Sequence, residues 1–363
     1  MYEHQGLQDI FFIMLYGGAT WLAILSCCYL LLTRGNLFLS DIKPSRSLRR
    51  WSAAFMAAVA ASHIWWVVLG IYWLTDDRLL RNIIAITLER LTFVPLMMCV
   101  LLRLLQDRKR PLWPVAIAMV PILVNAITSI VTRNETFEWY TESYSILLGI
   151  VFTIYYIYSV RQYGRWLKEN YADLEHKEVW QSLILLACIL FVFVAYASNE
   201  GALATEYLAQ VNTLIIIGFV LWRVETLQQL DAVTKENAKE AVQLSASDNV
   251  EISVLLRKYL VDPQLYLQHD LTLQQMAVII GTNRTYLSNY FAECGLTYNS
   301  YINKLRVQHF IHLYHEAVAS KSMVTAKALA SSSGFRSYVT FGAAFKKYTG
   351  FTVTEWMRKE EQI

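Results

Sequence analysis

Residues 282–291 read TNRTYLSNYF, and their side chains divide by spacing. On a helix, positions three and four apart share a face. Leu287, Tyr290, Phe291 and Cys294 then form one stripe, and Arg284, Thr285, Ser288 and Asn289 fall on another. The second set carries donors and acceptors of the kind that meet base edges: an arginine fork suits guanine and a carboxamide suits adenine. About 50 residues on, SYVTFGAAFKKY repeats the layout, with Phe341, Phe345 and Tyr348 inward and Tyr338, Val339, Gly342 and Ala343 outward. Lys346 and Lys347 are placed for phosphates. Gly342 and Ala343 bring no side-chain hydrogen bonds, so base reading is expected to rest mainly on the first segment.

Both segments need helices to hold them. LTLQQMAVII predicts a helix from about Thr272 to Ile280 that buries Leu273, Met276, Ala277 and Ile280. Gly281 supplies the turn after it, and Asn283 caps the next helix. VTAKALASS, 324–332, leads through Gly334-Phe335 into the second segment. Between the two motifs, YINKLRVQHFIHLYH predicts a long helix over about 298–317. Two recognition helices on one rod can enter successive major grooves about 34 Å apart. His309, His312 and His315 recur every three residues on that rod, a spacing that drifts around the helix instead of converging on a metal. Residues 251–363 hold 12 Lys and Arg against 8 Asp and Glu, a balance suited to nucleic acid.

Residues 250–360 resemble the DNA-binding domain of the AraC/XylS family of bacterial transcription regulators. The pieces that carry the resemblance are LTLQQMA, NRTYLSNYF, GLTYNSYINKLR, ALASSSGFRSYVTFGAAFKKYTG and FTVTEW. The resemblance implies two helix–turn–helix subdomains that bind double-stranded promoter DNA, with RNA polymerase as a further partner. It also implies base-facing positions at Arg284, Thr285, Ser288 and Asn289, and at Tyr338, Val339, Gly342 and Ala343. The chain departs from the family where Ser-Pro and an arginine are usual, carrying Thr352-Val353 and Met357.

The rest of the chain is of another character. Of its 363 residues 55% are hydrophobic and only 17% charged, against about a quarter charged in a soluble domain. Seven stretches are long and apolar enough for a bilayer: 10–33, 52–74, 83–105, 112–131, 144–160, 179–197 and 204–222. Trp51, Trp113, Trp139, Tyr140, Trp166, Trp180 and Trp222 stand near their ends, where amphipathic rings prefer the headgroups. The first run is about 24 residues long behind an acidic N-terminus, and is read as a retained span. Loops 34–50, 107–110 and 161–177 carry 12 Lys and Arg, and the alternate loops 75–82, 132–142 and 199–206 carry 3. The positive-inside rule then places the N-terminus outside and everything after Trp222 in the cytoplasm.

Polar groups inside spans are costly, which makes His63, Glu89, Arg90, Asn125 and Asn212 candidates for signal sensing or for pairing between helices. The outer loop 132–142, TRNETFEWYTE, is a second place where a ligand could touch. Residues 223–249 turn polar and are read as a helical linker, with Leu227, Leu230, Ala241 and Leu244 on a broken stripe and SASDN as its flexible end.

Several function classes find no support. Cys27, Cys28, Cys99, Cys188 and Cys294 show no metal-ligand spacing, and the seventh stretch has no lysine for a retinal Schiff base. No phosphate-binding glycine loop, HExxH, nucleophile elbow or kinase signature occurs, so neither an enzyme nor a cofactor is expected. The fold class expected is all-α: a seven-helix transmembrane bundle, 1–222, a linker, 223–249, and a cytoplasmic domain with two helix–turn–helix motifs, 250–363. The function expected is a transcription regulator in the bacterial inner membrane, responding to an envelope, lipid-phase or small-molecule signal, with homodimerisation through the linker as one mode of signalling. The alternatives are a small-solute transporter or membrane enzyme with a regulatory tail, and a tail that binds protein instead of DNA.

Overall fold

The computed structural model describes residues 7–33, 36, 44–64, 77–134, 138–197, 203–230, 249–320 and 324–360. Among them the chain is helical, and its one β-type pairing is an isolated bridge between Tyr171 and Thr272. It divides into two units: Met1–Tyr163 with Val179–Leu230, and Gly164–Glu178 with Asp231–Ile363.

The first unit is built from α1 (Leu7–Leu32), α2 (Arg46–Ile64), α3 (Arg78–Leu104), α4 (Trp113–Ala118), α5 (Val120–Thr132), most of α6 (Glu138–Asn170), α7 (Ser182–Ala197) and α8 (Leu203–Thr226). α1 packs on α2 and α8, α2 on α3, α3 on α5, and α7 on α8. Small residues such as Ala19, Ala23, Ala53 and Ala60 are buried, which lets helix axes approach closely. Large apolar side chains face outward instead, among them Phe11, Met14, Trp21, Leu25, Val131 and Ile154. Such a surface is compatible with lipid and disfavoured in water.

Five helical segments are long and apolar enough to cross a membrane by length and composition: Ile10–Leu32, Ile83–Leu104, Trp113–Thr132, Trp139–Asn170 and Tyr207–Thr226. Five of the seven stretches expected from sequence thus have a candidate span among the described residues. The 52–74 stretch is helical to Ile64, where α2 opens on Arg46, Arg49 and Arg50, and 65–74 lies outside the described residues. The 179–197 stretch becomes α7, Ser182–Ala197, apolar throughout but only 16 residues long. The 112–131 stretch is broken at Met119, because Pro121 has no N–H to return to the preceding turn.

Two boundaries differ in a way that matters. α6 continues ten residues past 160, so residues expected in a loop are helical as far as Asn170. At the other end, α8 stops at Thr226 and the chain is pinned rather than continuing as a linker helix. Gln106 donates to the Gln228 carbonyl at 3.0 Å and accepts from the Leu230 amide at 2.8 Å, and Leu227 and Leu230 are buried. Of the expected linker, 231–248 lies outside the described residues.

The second unit holds α9 (Asn249–Leu256), which widens into a π turn at Arg257–Val261, then α10 (Leu273–Ile279), α11 (Arg284–Glu293), α12 (Tyr298–Ala319), α13 (Ala326–Ser332), α14 (Tyr338–Thr349) and α15 (Val353–Glu360). Its helix starts follow from local chemistry. Thr272 and Gln275 form a capping box, as do Thr297 and Ser300, while Asn283, Thr325 and Ser337 each accept one backbone N–H of the first turn. Two apolar clusters result. Leu260, Leu273, Met276, Leu287, Phe291 and Ile302 lie in the first; Phe310, Leu329, Phe335, Phe341 and Phe345 lie in the second. α12 supplies Ile302 to one and Phe310 to the other, and so serves as their common rod. Burying each such side chain contributes roughly 1.5–3 kcal/mol.

Candidate nucleic-acid interface

Each half of the second unit pairs a short helix, buried along one face, with a longer one that carries outward polar or basic groups. In the first half, Leu273, Met276 and Ala277 of α10 lock against Leu287 and Phe291 of α11. Gly281, at φ +75°, makes the turn between them. The outer side of α11 shows Thr285 and Asn289 exposed, with Arg284 and Ser288 half-buried. The inward stripe is narrower than expected. Tyr290 is half-buried and Cys294 exposed, because α11 ends at Glu293 and the chain turns there. Burial, then the neighbouring Cys294, pushes the Tyr290 hydroxyl up to about 12.

In the second half, Leu329 and Ala330 of α13 pack on Phe341 and Phe345 of α14, and Gly334, at φ +86°, makes the turn. Tyr348 is only half-buried, its hydroxyl donating to the Ser300 carbonyl of α12. Outward stand Tyr338, Val339 at 82% exposure, Ala343, Lys346 and Lys347, with Gly342 half-buried among them. Apart from the Tyr338 hydroxyl, this face offers apolar surface and two ammonium groups. It can touch a thymine methyl or a phosphate more readily than it can read a donor–acceptor pattern.

One buried cation joins the halves. Arg306 of α12 is 2% exposed and donates from Nε to the Tyr266 carbonyl and from Nη2 to the Gln268 carbonyl, both at 2.8 Å. Burial pushes its guanidinium down to about 10, against the pull of Asp173, so it remains charged at neutral pH. The histidines of the rod go three separate ways. His309 meets the Tyr266 hydroxyl at 3.3 Å, His312 meets Glu316 at 3.3 Å, and His315 meets Glu360 at 3.8 Å.

Residues 276–359 match the model of a family described as a helix-turn-helix domain. They form an AraC-type helix-turn-helix domain. The match spans both halves, from Met276 in α10 to Lys359 in α15, and leaves the helices of the first unit unassigned. No curated protein and no solved structure matches the chain. A module of this type is a DNA-binding regulator domain, and nothing in it indicates catalysis.

Sequence reasoning missed a third participant in this domain, the segment 164–178. Ala172 is buried in the first cluster, its amide donates to the Leu271 carbonyl at 3.1 Å, and its carbonyl accepts from Asn299 at 2.7 Å. Lys177, counted from sequence as a loop charge, is 1% exposed and reaches Asp270 at 3.1 Å. Asp270 also holds Arg336 at 2.8 Å, and Arg336 faces Asp173 at 3.7 Å. Arg284, the foremost expected base reader, donates from Nε to Asn170 Oδ1 at 2.6 Å. No periodicity announces such a segment; a polar run after a helix reads as solvated loop.

The membrane-side candidates lie in the first unit. His63 donates from Nδ1 to the Val59 carbonyl at 2.8 Å and its Nε2 meets the Gln210 carboxamide at 2.9 Å, with the Tyr16 ring against it. Asn125 donates to Thr141, and Asn212 to the Cys188 carbonyl at 2.8 Å. Glu89 is exposed and Arg90 half-buried on α3. His63, Asn125 and Asn212 thus each tie one helix to another. In the loop 132–142, residues 135–137 lie outside the described residues.

Proposed function

We propose that the chain is a membrane-bound, one-component transcription regulator, held in a bacterial inner membrane by residues 1–222 and binding promoter DNA through its AraC-type domain. The observation that carries this reading is the pair of recognition helices on one rod. α11 presents Arg284, Thr285, Ser288 and Asn289, α14 presents Lys346 and Lys347, and both are backed by closed cores. The apolar outward faces of the first unit and the excess of basic residues in alternate loops support the membrane placement, with the N-terminus outside and the domain in the cytoplasm. Seven spans, a sensed envelope signal, a homodimer and contact with RNA polymerase belong to this same reading.

The test is selection from random duplex DNA by the full-length protein in lipid nanodiscs. Enrichment of a defined sequence is expected, with affinity falling steeply as salt rises because bound phosphates release counterions. If no sequence enriches at low salt, the DNA-binding reading is overturned. Reporter fusions check the topology: a reporter after Leu230 should be active only inside the cell, and one at the N-terminus only outside.

A further inference from the structure

We infer that Asn170 is a positioning residue for DNA reading, holding the Arg284 guanidinium by its Nε so that the two terminal nitrogens are presented together to a guanine edge. This rests on the proposed DNA-binding function and adds to it a residue outside the matched domain.

The geometry leaves little freedom. Asn170 is 3% exposed, and its Nδ2 donates to the Trp166 carbonyl at 2.6 Å. A carbonyl can only accept, so that bond fixes the amide with Oδ1 toward Arg284. Arg284 can only donate, and its Nε meets Oδ1 at 2.6 Å. A guanidinium has five N–H donors, and using the Nε one leaves the two terminal nitrogens for a bidentate contact with guanine O6 and N7. An arginine held this way loses less freedom when it meets a base.

The support behind Asn170 is built into the domain. Ala172 sits in the first apolar cluster, hydrogen-bonded to Leu271 and Asn299, and Tyr171 bridges to Thr272, the residue that caps α10. Asp173 and Lys177 meet Arg336 and Asp270. A segment with a core residue and a buried lysine is a structural part of the reading head, which favours a brace over a detachable cover.

The experiment uses full-length protein in nanodiscs and the duplex selected by the wild type, with each base pair varied in turn. Arg284→Ala identifies the pair that Arg284 reads. Asn170→Ala is expected to cut preference at that same pair about tenfold, to leave preference at other pairs and the salt slope unchanged, and to add nothing in an Arg284→Ala background. Should Asn170→Ala fail to fold, Asn170→Ser replaces it, its side chain being polar but too short to reach Arg284. Tighter binding by Asn170→Ala, equal loss at every pair, or independent addition to Arg284→Ala would each overturn the inference. A wild-type protein that selects no sequence overturns the DNA-binding function itself, a separate result.

Discussion

Arg306 passes so close to Gly334 that a Cβ on the glycine would lie 3.1 Å from the guanidinium Nε. The same Cβ would meet the Leu267 Cα at 2.8 Å, and Gly334 adopts φ +86°. The turn of the second motif therefore rests directly on the arginine that binds the carbonyls of Tyr266 and Gln268. Gly334→Ala should cost more than the usual helix or turn substitution, about 2 kcal/mol or more, since both the backbone angle and the space forbid it. Arg306→Met should cost about 3 kcal/mol by leaving two buried carbonyls without donors. Hydrogen exchange of α12 and α13 amides in the full-length protein measures both; wild-type protection in either variant would refute this account.

Asp270 supplies a pH test. Burial pushes its carboxyl up, but Lys177 and then Arg336 outweigh that and hold it below the ordinary carboxylate range. A group whose folded pKa is depressed contributes stability above its unfolded pKa, about 3.9, and loses it as pH falls through the folded value. The 171–178 segment should then be equally protected from pH 5 to 8 and loosen below about pH 4. Asp270→Asn should loosen it at neutral pH. Exchange of the Ala172 amide, corrected for the intrinsic pH effect, reports the outcome.

Gly342 has open space where a Cβ would go, and it lies within α14 with ordinary helical backbone. Gly342→Ala should stabilise α14 by up to about 1 kcal/mol, the usual helix-propensity gap. Base preference in a selection experiment should not move, since neither residue offers a hydrogen bond. A changed consensus would show that the backbone at 342 approaches a base.

Lys346 and Lys347 stand exposed in the last turn of α14. Replacing either by Ala should weaken binding to all duplexes alike and reduce the slope of log affinity against log salt by about 1. Asn289→Ala should behave oppositely, relaxing preference at one base pair by about 1–3 kcal/mol with the slope intact. Swapped behaviours would reverse the roles given to the two helices.

What the residues determine by themselves is local. Caps at Thr272, Asn283 and Thr297 and left-handed turns at Gly281 and Gly334 are decided within a few residues, and the apolar spacing of α10 to α14 names the inward faces. The likeness of 250–360 to an AraC-type domain could be read in the same short-range signals. Tertiary structure decided the rest. α6 runs on to Asn170, the segment after it enters the core through Ala172, and Lys177 leaves the count of solvent-facing charges to pair with Asp270. These contacts join positions about 100 residues apart through single hydrogen bonds and one small buried methyl. No pattern in the intervening sequence encodes a partner at that distance, because pairing there is set by how whole helices pack, not by the propensity of any residue along the way.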